Sequence, residues 1–208
     1  MNGAYCTPQR ALELGSIGLF TGLSTWATWR SIDASGHYFP LVLLLAAPLG
    51  WLVVDLLSGV AHWALDSFGS TSTPFIGQSF IRPFREHHAD PREMTRHDFV
   101  ETHGASCLAS LPFLAAAGTM PLDSATAVLA QAVLLFSALG ALFTNQCHKW
   151  AHLDEAEIPP LVRWAQRRWL VLPREHHQLH HTPPFDTHFC MSSGWLNAAF
   201  NSLLRRLR

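Results

Sequence analysis

Long stretches without a formal charge alternate with polar blocks along this chain. No Lys, Arg, Asp or Glu falls between Glu13 and Arg30, or between Asp33 and Asp55. From Glu101 to Lys149 the only charge is Asp123, inside the turn-like Met120-Pro121-Leu122-Asp123-Ser124. A bilayer-spanning helix needs about 20 predominantly apolar residues. The pattern predicts four such helices, over 12–30, 39–61, 104–120 and 124–146. The second and fourth are the most apolar, the first is rich in Thr, Ser and Gly, and the third is short. Between and after them lie two polar blocks, 62–103 and 147–208, which prolines such as Pro83, Pro91, Pro159 and Pro173 break into short helices and loops. The expected architecture is a single all-α integral membrane domain over 1–208: four transmembrane helices with a helical cap. The last segment, from Ala198 on, reads as a basic amphipathic helix lying at the membrane interface.

Composition sharpens this picture. Hydrophobic residues make up 49% and charged residues 14%, against roughly 25% charged in soluble domains. Disorder and a coiled coil are excluded, and an ordinary soluble globule is disfavoured. The net charge of −1 argues against a nucleic-acid binder, which carries a basic excess. Lys and Arg concentrate in 62–103 (Arg82, Arg85, Arg92, Arg96) and after residue 146. The positive-inside rule therefore places both termini and both blocks in the cytoplasm. Every histidine except His37 then falls on that side. Cys6, Cys107, Cys147 and Cys190 are widely spaced and form no C-x-x-C pair, so neither a disulfide framework nor a thiolate zinc site is expected. The first apolar run lacks a basic start, so no cleavable signal peptide is expected. Several of the Trp residues near expected helix ends fit an interfacial aromatic belt.

The candidate chemistry lies in the 13 histidines, nearly as many as all Lys and Arg together (14). Four clusters carry it: His62-x-x-x-Asp66; Glu86-His87-His88 with His97-Asp98 downstream; His148-x-x-x-His152; and His176-His177-x-x-His180-His181. Helix positions four apart share a face, with Cβ atoms about 5–6 Å apart. The pairs His62/Asp66, His148/His152 and His177/His181 can thus each offer two ligands to one ion. His180 projects about 100° away from His181, toward a second ion or a shared centre. So many imidazoles with one carboxylate exceed the three protein ligands of a catalytic zinc and fit a two-metal site. Imidazole suits Zn, Cu, Fe and Ni, and oxygen chemistry favours iron. His97 and His176 are expected either as ligands or as supports behind them. Asp55, seven residues before His62 and on the same face, is expected to orient a ligand imidazole, with helix packing as the other reading. His37 is expected as an interfacial or loop residue, and His103 and His188 as structural residues or supports behind the ligands, not as ligands. The four arginines of 82–96 are either a phosphate-binding set or solvated charges.

The ordered motifs are specific enough to support a resemblance. His177-x-x-His180-His181 is similar to a box of membrane fatty-acid desaturases and hydroxylases, although Asp66 and Phe84 stand where the general pattern has histidines. Those departures resemble a narrower family, the plasmanylethanolamine desaturases. The resemblance rests on Asp55-x-x-Ser-Gly-x-x-His62-Trp-x-x-Asp66, Phe80-Ile-Arg-Pro-Phe-Arg-Glu-His-His88, Phe143-Thr-Asn-Gln-x-His148-Lys-Trp-x-His152, Leu172-Pro-Arg-x-His-His177-x-x-His-His181 and Phe189-Cys190 with Gly194-Trp-Leu-Asn197. It covers about residues 50–200. It implies that His62, Asp66, His87, His88, His148, His152, His177, His180 and His181 hold two iron ions. It also implies an O2-dependent reaction on the alkyl ether chain of a membrane phospholipid, giving the vinyl ether of a plasmalogen. A separate protein, cytochrome b5-like or ferredoxin-like, supplies two electrons, since the chain carries no nucleotide, haem or flavin motif. The expected location is multi-pass, in the inner or plasma membrane of a bacterium or the endoplasmic reticulum of a eukaryote, with the metal site on the cytoplasmic side. An acyl-lipid desaturase of the same family is the alternative. A non-enzymatic metal- or haem-binding membrane protein is a further one, though the pooling of histidines on one side counts against transport.

Overall fold

A computed structural model describes residues 7–207; Cys6 and Arg208 lie outside the described residues. Among the described residues the regular structure is entirely helical. The long helices are α1 (Thr7–Ser35), α2 (Phe39–Ser67), α4 (Phe99–Thr119) and α5 (Ala125–Ala151), at the four positions the charge pattern marks. Short helices fill the polar blocks: α3 (Arg82–Ala89), α6 (Pro160–Arg167), α7 (Arg174–His180) and α8 (Asn197–Leu207). Prolines set several starts. Pro83 and Pro160 sit in the first turns of α3 and α6, where the missing N–H costs nothing, and Pro173 immediately precedes α7.

Two stretches are long and apolar enough to cross a membrane. One is the helical run Pro8–Ser67, comprising α1, a three-residue turn and α2; the other is α5. Only 22% and 39% of their most apolar windows are buried, so most of those side chains face outward, as a soluble core helix would not allow. α4 coincides with the expected third span, but Glu101 and His103 lie in its first two turns.

The chain divides into two compact units. One comprises residues up to Val54 together with Phe99–Phe143, the other Asp55–Asp98 together with residues from Thr144 on. The first unit has a core of Phe20, Ala27, Cys107, Leu114, Ala117, Leu135 and Ala138. Inside it Gln131 accepts from Ser31 Oγ (2.7 Å) and donates to the carbonyl of Ala27 (2.8 Å). Arg30 lies inside α1. Its guanidinium donates to the carbonyls of Ala117 (3.2 Å), Gly118 (2.7 Å) and Met120 (2.7 Å), which the end of α4 leaves without intrahelical donors.

The second unit is built around Phe189, Cys190, Phe200 and Leu204, with Trp63 and Leu196 packed on them. The last segment contributes to this core. α8 is amphipathic, and Asn197, Phe200, Asn201 and Leu204 are buried, so one face closes this core, while Leu203 and Leu207 stay exposed beside Arg205 and Arg206. Periodicity fixes which face of a helix is apolar, but not whether protein or lipid covers it.

Candidate metal centre

Four segments of the second unit converge their imidazoles. The end of α2 supplies His62 and Asp66, α3 supplies His87 and His88, the end of α5 with the residue after it supplies His148 and His152, and α7 with its C-cap supplies His177, His180 and His181. They form two groups. His87, His148, His152, His177 and His181 make one; His62, Asp66, His88 and His180 make the other. In each, one ligand atom per residue lies within 4.8 Å of all the others. The division follows helix geometry. His87 and His88 are neighbours on α3 and point about 100° apart, one into each group. His177 and His181, one turn apart, face the first group while His180 turns to the second.

In the five-imidazole group, Nε2 of His87 lies 3.0 Å from that of His181, 3.0 Å from that of His148 and 3.2 Å from that of His152. Nε2 of His177 is 2.8 Å from that of His152 and 3.1 Å from that of His181. An imidazole nitrogen carries one proton or one lone pair, so a single Nε2 cannot hydrogen-bond three such neighbours at once. A cluster of converging lone pairs is the geometry a cation satisfies. In the second group Asp66 Oδ2 lies 3.2 Å from His62 Nε2, 3.0 Å from His88 Nε2 and 3.6 Å from His180 Nε2. Asp66 Oδ1 and both ring nitrogens of His62 are buried without a well-formed hydrogen bond, a costly arrangement for polar atoms that metal ligation removes. The residues therefore fit a pair of metal ions.

Electrostatics agree with that fit. Burial, reinforced by the neighbouring imidazoles, pushes His87 and His177 well below the usual histidine range, and takes His181 to about 4, His152 to about 3 and His180 to about 2. At neutral pH these rings are uncharged and their lone pairs free to ligate. Nδ1–H of His180 donates to the carbonyl of Thr187 at 2.8 Å, which leaves Nε2 as the ligating atom. Aromatic rings wall the second group: Phe84 and Phe189 contact His62 (centroids 4.8 and 5.8 Å), and Phe185 contacts His88 (5.2 Å).

Other residues singled out in the sequence lie elsewhere. His176 is in neither group; its Nε2 accepts from Asn197 Nδ2 at 2.9 Å and its ring meets Trp169 and His188. His97 is also in neither group, and its carbonyl accepts from Lys149 Nζ. Nδ1 of His103 pairs with the carbonyl of Leu142, and His188 with Thr187. Asp55 corrects the expectation most clearly, because its hydrogen-bond partners are backbone amides and not an imidazole. Its Oδ1 accepts from the N–H groups of Ser192 (3.2 Å), Ser193 (2.8 Å) and Gly194 (2.9 Å), and Oδ2 from Leu196 (3.1 Å). It clamps the loop whose Phe189 packs on the ligands. Gly59 admits that loop, since a Cβ there would lie 2.6 Å from Cys190 Sγ. The 82–96 arginines are engaged by protein: Arg82 pairs with Glu86 (3.3 Å), Arg92 with Asp154 and with Glu157 (3.0 Å), Arg96 with Asp90 (3.0 Å), and Arg85 donates to the carbonyl of Leu65 (3.1 Å).

Helix-borne imidazoles grouped in two sets and walled by apolar rings suit oxidative chemistry on an apolar substrate, and sequence comparison gives the same class. A family profile described as the lipid desaturase domain matches residues 51–205; the chain belongs to this family. It is 40% identical over 193 residues to the plasmanylethanolamine desaturase of Myxococcus xanthus, covering 93% of this chain and 68% of that one. It is 42% identical over 169 residues to plasmanylethanolamine desaturase 1 of Mus musculus, covering 79% of this chain and 62% of that one. With the chloroplastic fatty acid desaturase 4 of Arabidopsis thaliana it shares 38% identity over 156 residues, 74% of this chain and 46% of that one. The chain thus spans less than two thirds of the mouse and plant relatives. No solved structure matches it.

Proposed function

We propose that this chain is a membrane desaturase that uses two iron ions and O2 to convert the alkyl ether chain of a plasmanyl phospholipid into the vinyl ether of a plasmalogen. The observation that carries this reading is the pair of adjoining ligand groups, supported by the 40% and 42% identities to plasmanylethanolamine desaturases. His87, His148, His152, His177 and His181 would hold one iron, and His62, Asp66, His88 and His180 the other. The iron pair supplies the oxygen activation and hydrogen abstraction that no side chain provides. Asp66 adds the one anionic ligand. Phe84, Phe185 and Phe189 keep water from the second group, and the Asp55 clamp holds Phe189 in place.

The reaction removes two hydrogens from the carbons next to the ether oxygen. With two electrons and two protons from outside, one O2 leaves as two waters. The electrons come from a separate cytochrome b5-like or ferredoxin-like protein. Four spans, with both polar blocks and the metal centre on the cytoplasmic side, accord with the four long helices and the distribution of Arg and Lys. The second reading, desaturation of an esterified acyl chain, is favoured by the likeness to the chloroplastic fatty acid desaturase.

Lipid analysis separates the two. The full chain, expressed in a plasmalogen-free host supplied with an alkylglycerol, is expected to yield acid-labile vinyl ethers. A new double bond in acyl chains alone would favour the second reading, and unchanged lipids in iron-loaded membranes would leave a non-enzymatic metal protein.

A further inference from the structure

Of the arginines between residues 82 and 96, Arg82, Arg92 and Arg96 are held by acidic side chains. Arg85 is not. Its guanidinium meets a single acceptor among the described residues, the carbonyl of Leu65, through Nε at 3.1 Å. A guanidinium carries five N–H donors, so those on its two terminal nitrogens have no protein acceptor, and the residue is exposed. Two contacts fasten this part of α3 to the last turns of α2. Arg85 reaches the carbonyl of Leu65, and one turn later His88 Nε2 lies 3.0 Å from Asp66 Oδ2. Arg85 and His88 are neighbours on the helix surface, with Cβ atoms about 5–6 Å apart. The terminal nitrogens of Arg85 therefore lie beside the second ligand group.

The chain around this arginine is apolar. No Lys, Arg, Asp or Glu falls between Asp66 and Arg82. Leu57, Ala61 and Phe68 are exposed on one face at the end of α2, and Leu65 lies one turn from both Ala61 and Phe68. Beyond them Phe75 is 98% exposed and Ile76 44%. Phe75 is held at φ 66°, a left-handed conformation that bulky residues rarely adopt. The turn that displays it is tied: Thr73 Oγ1 accepts from the N–H of Ser70 (2.9 Å), and Gln78 Nε2 donates to the carbonyl of Thr71 (2.8 Å). An ordered, uncharged loop that holds a phenyl ring outward, directly after a helical run apolar enough to cross a membrane, suits the interfacial zone of a bilayer.

From this arrangement we infer that Arg85 binds the phosphate of the phospholipid substrate, taken from a bilayer that Phe68, Phe75 and Ile76 contact. Guanidinium is suited to phosphate oxygens, which it can hold in pairs. The assignment deepens the ether-lipid reading and rests on it. In a plasmanyl lipid only six bonds separate the reacting carbon from phosphorus, about 7 Å when extended. A desaturase acting beside the ether oxygen must hold the phosphate close to its ligands, and Arg85 stands one helical turn, about 5.4 Å of rise, from His88. A desaturase acting deep in an acyl chain has no such need.

The test uses the iron-loaded full chain in nanodiscs with two lipids of identical chains, an alkyl-acyl phosphoethanolamine and the matching phosphate-free glycerol. Arg85→Gln is expected to raise KM about tenfold for the phospholipid, with kcat, iron content and the phosphate-free lipid unaffected. Arg85→Lys also loses the Nε bond to Leu65 but keeps the cation, and should recover most of that loss. Arg96→Gln removes a charge from the same block and should leave KM unchanged. Equal losses on both lipids, or a Lys variant as impaired as the Gln one, would make Arg85 a tie between α2 and α3 and overturn the assignment. An unchanged KM would do the same. So would a defect seen with a protein reductant but relieved by dithionite, which would give Arg85 to an acidic electron donor. Native mass spectrometry of the iron-loaded chain without reductant compares retention of an alkylglycerol phosphate with that of the alkylglycerol and needs no turnover. Preferential retention of the phosphate, lost in Arg85→Gln and unaffected by an equal concentration of inorganic phosphate, supports the assignment even if no vinyl ether is formed. Equal retention of the two, or displacement by inorganic phosphate, overturns it.

Discussion

Single residues hold the centre at two levels. The ligands themselves are the first, and His177→Ala or Asp66→Ala is expected to abolish vinyl-ether formation and lower bound iron while the protein still inserts in membranes. Full activity with two irons in both variants would mean the ligand set is wrong. Asp55 is the second level. It is fully buried, and one carboxylate satisfies four backbone N–H groups. Asp55→Ala strands those donors, at about 1–3 kcal/mol for each group left unsatisfied, so a fall of several degrees in the melting temperature is expected, with iron lost more readily. Asp55→Asn keeps one acceptor oxygen and should fall between the two. The pairs His62/Asp66, His148/His152 and His177/His181 that converge in the two groups were legible in the sequence because their spacing is local, four residues on a helix. The task of Asp55 was not, because its partners lie 137–141 residues away, and a buried acid looks the same whether it faces an imidazole or an amide.

At the scale of elements, the four long helices were legible from the absence of charge, and proline marked where α3, α6 and α7 begin. What pattern leaves open is the neighbour: it identifies a face but not what covers it. α8 shows apolar positions that suit lipid as well as protein: Phe200 and Leu204 close a protein core while Leu203 and Leu207 stay exposed. Arg30, which closes the first charge-free run, terminates α4 from within α1. Arg30→Ala removes three charge-assisted hydrogen bonds to carbonyls at the end of that helix. A loss of about 2 kcal/mol is expected, measured as the denaturation midpoint in detergent, with iron content unchanged. An equal fall in bound iron would show that the capping contact also shapes the centre.

For the whole molecule, burying so many imidazoles makes the metal-free protein acid-sensitive. The folded pKa of His181 is about 4 and that of His152 about 3, against 6.5 unperturbed. Between 6.5 and those values the unfolded chain binds protons that the folded chain refuses, so stability falls as pH drops through that window and is flat above about 7. Chelated protein should therefore melt progressively lower from pH 6.5 toward 4, and a flat profile there would contradict the burial of these rings. The neutral state that makes them vulnerable also makes them ligands, so bound metal should raise the melting temperature at neutral pH.

Neighbouring histidines on α3, and again around α7, point into different groups. An ion seated among the five imidazoles fixes both backbones, and with them His88 and His180. The second ion then finds its ligands already ordered, so uptake should be cooperative. Anaerobic titration of chelated protein with ferrous iron, followed by native mass spectrometry, should pass from empty to doubly loaded chains with few singly loaded ones. His88→Ala, which touches only one group, should weaken retention in both.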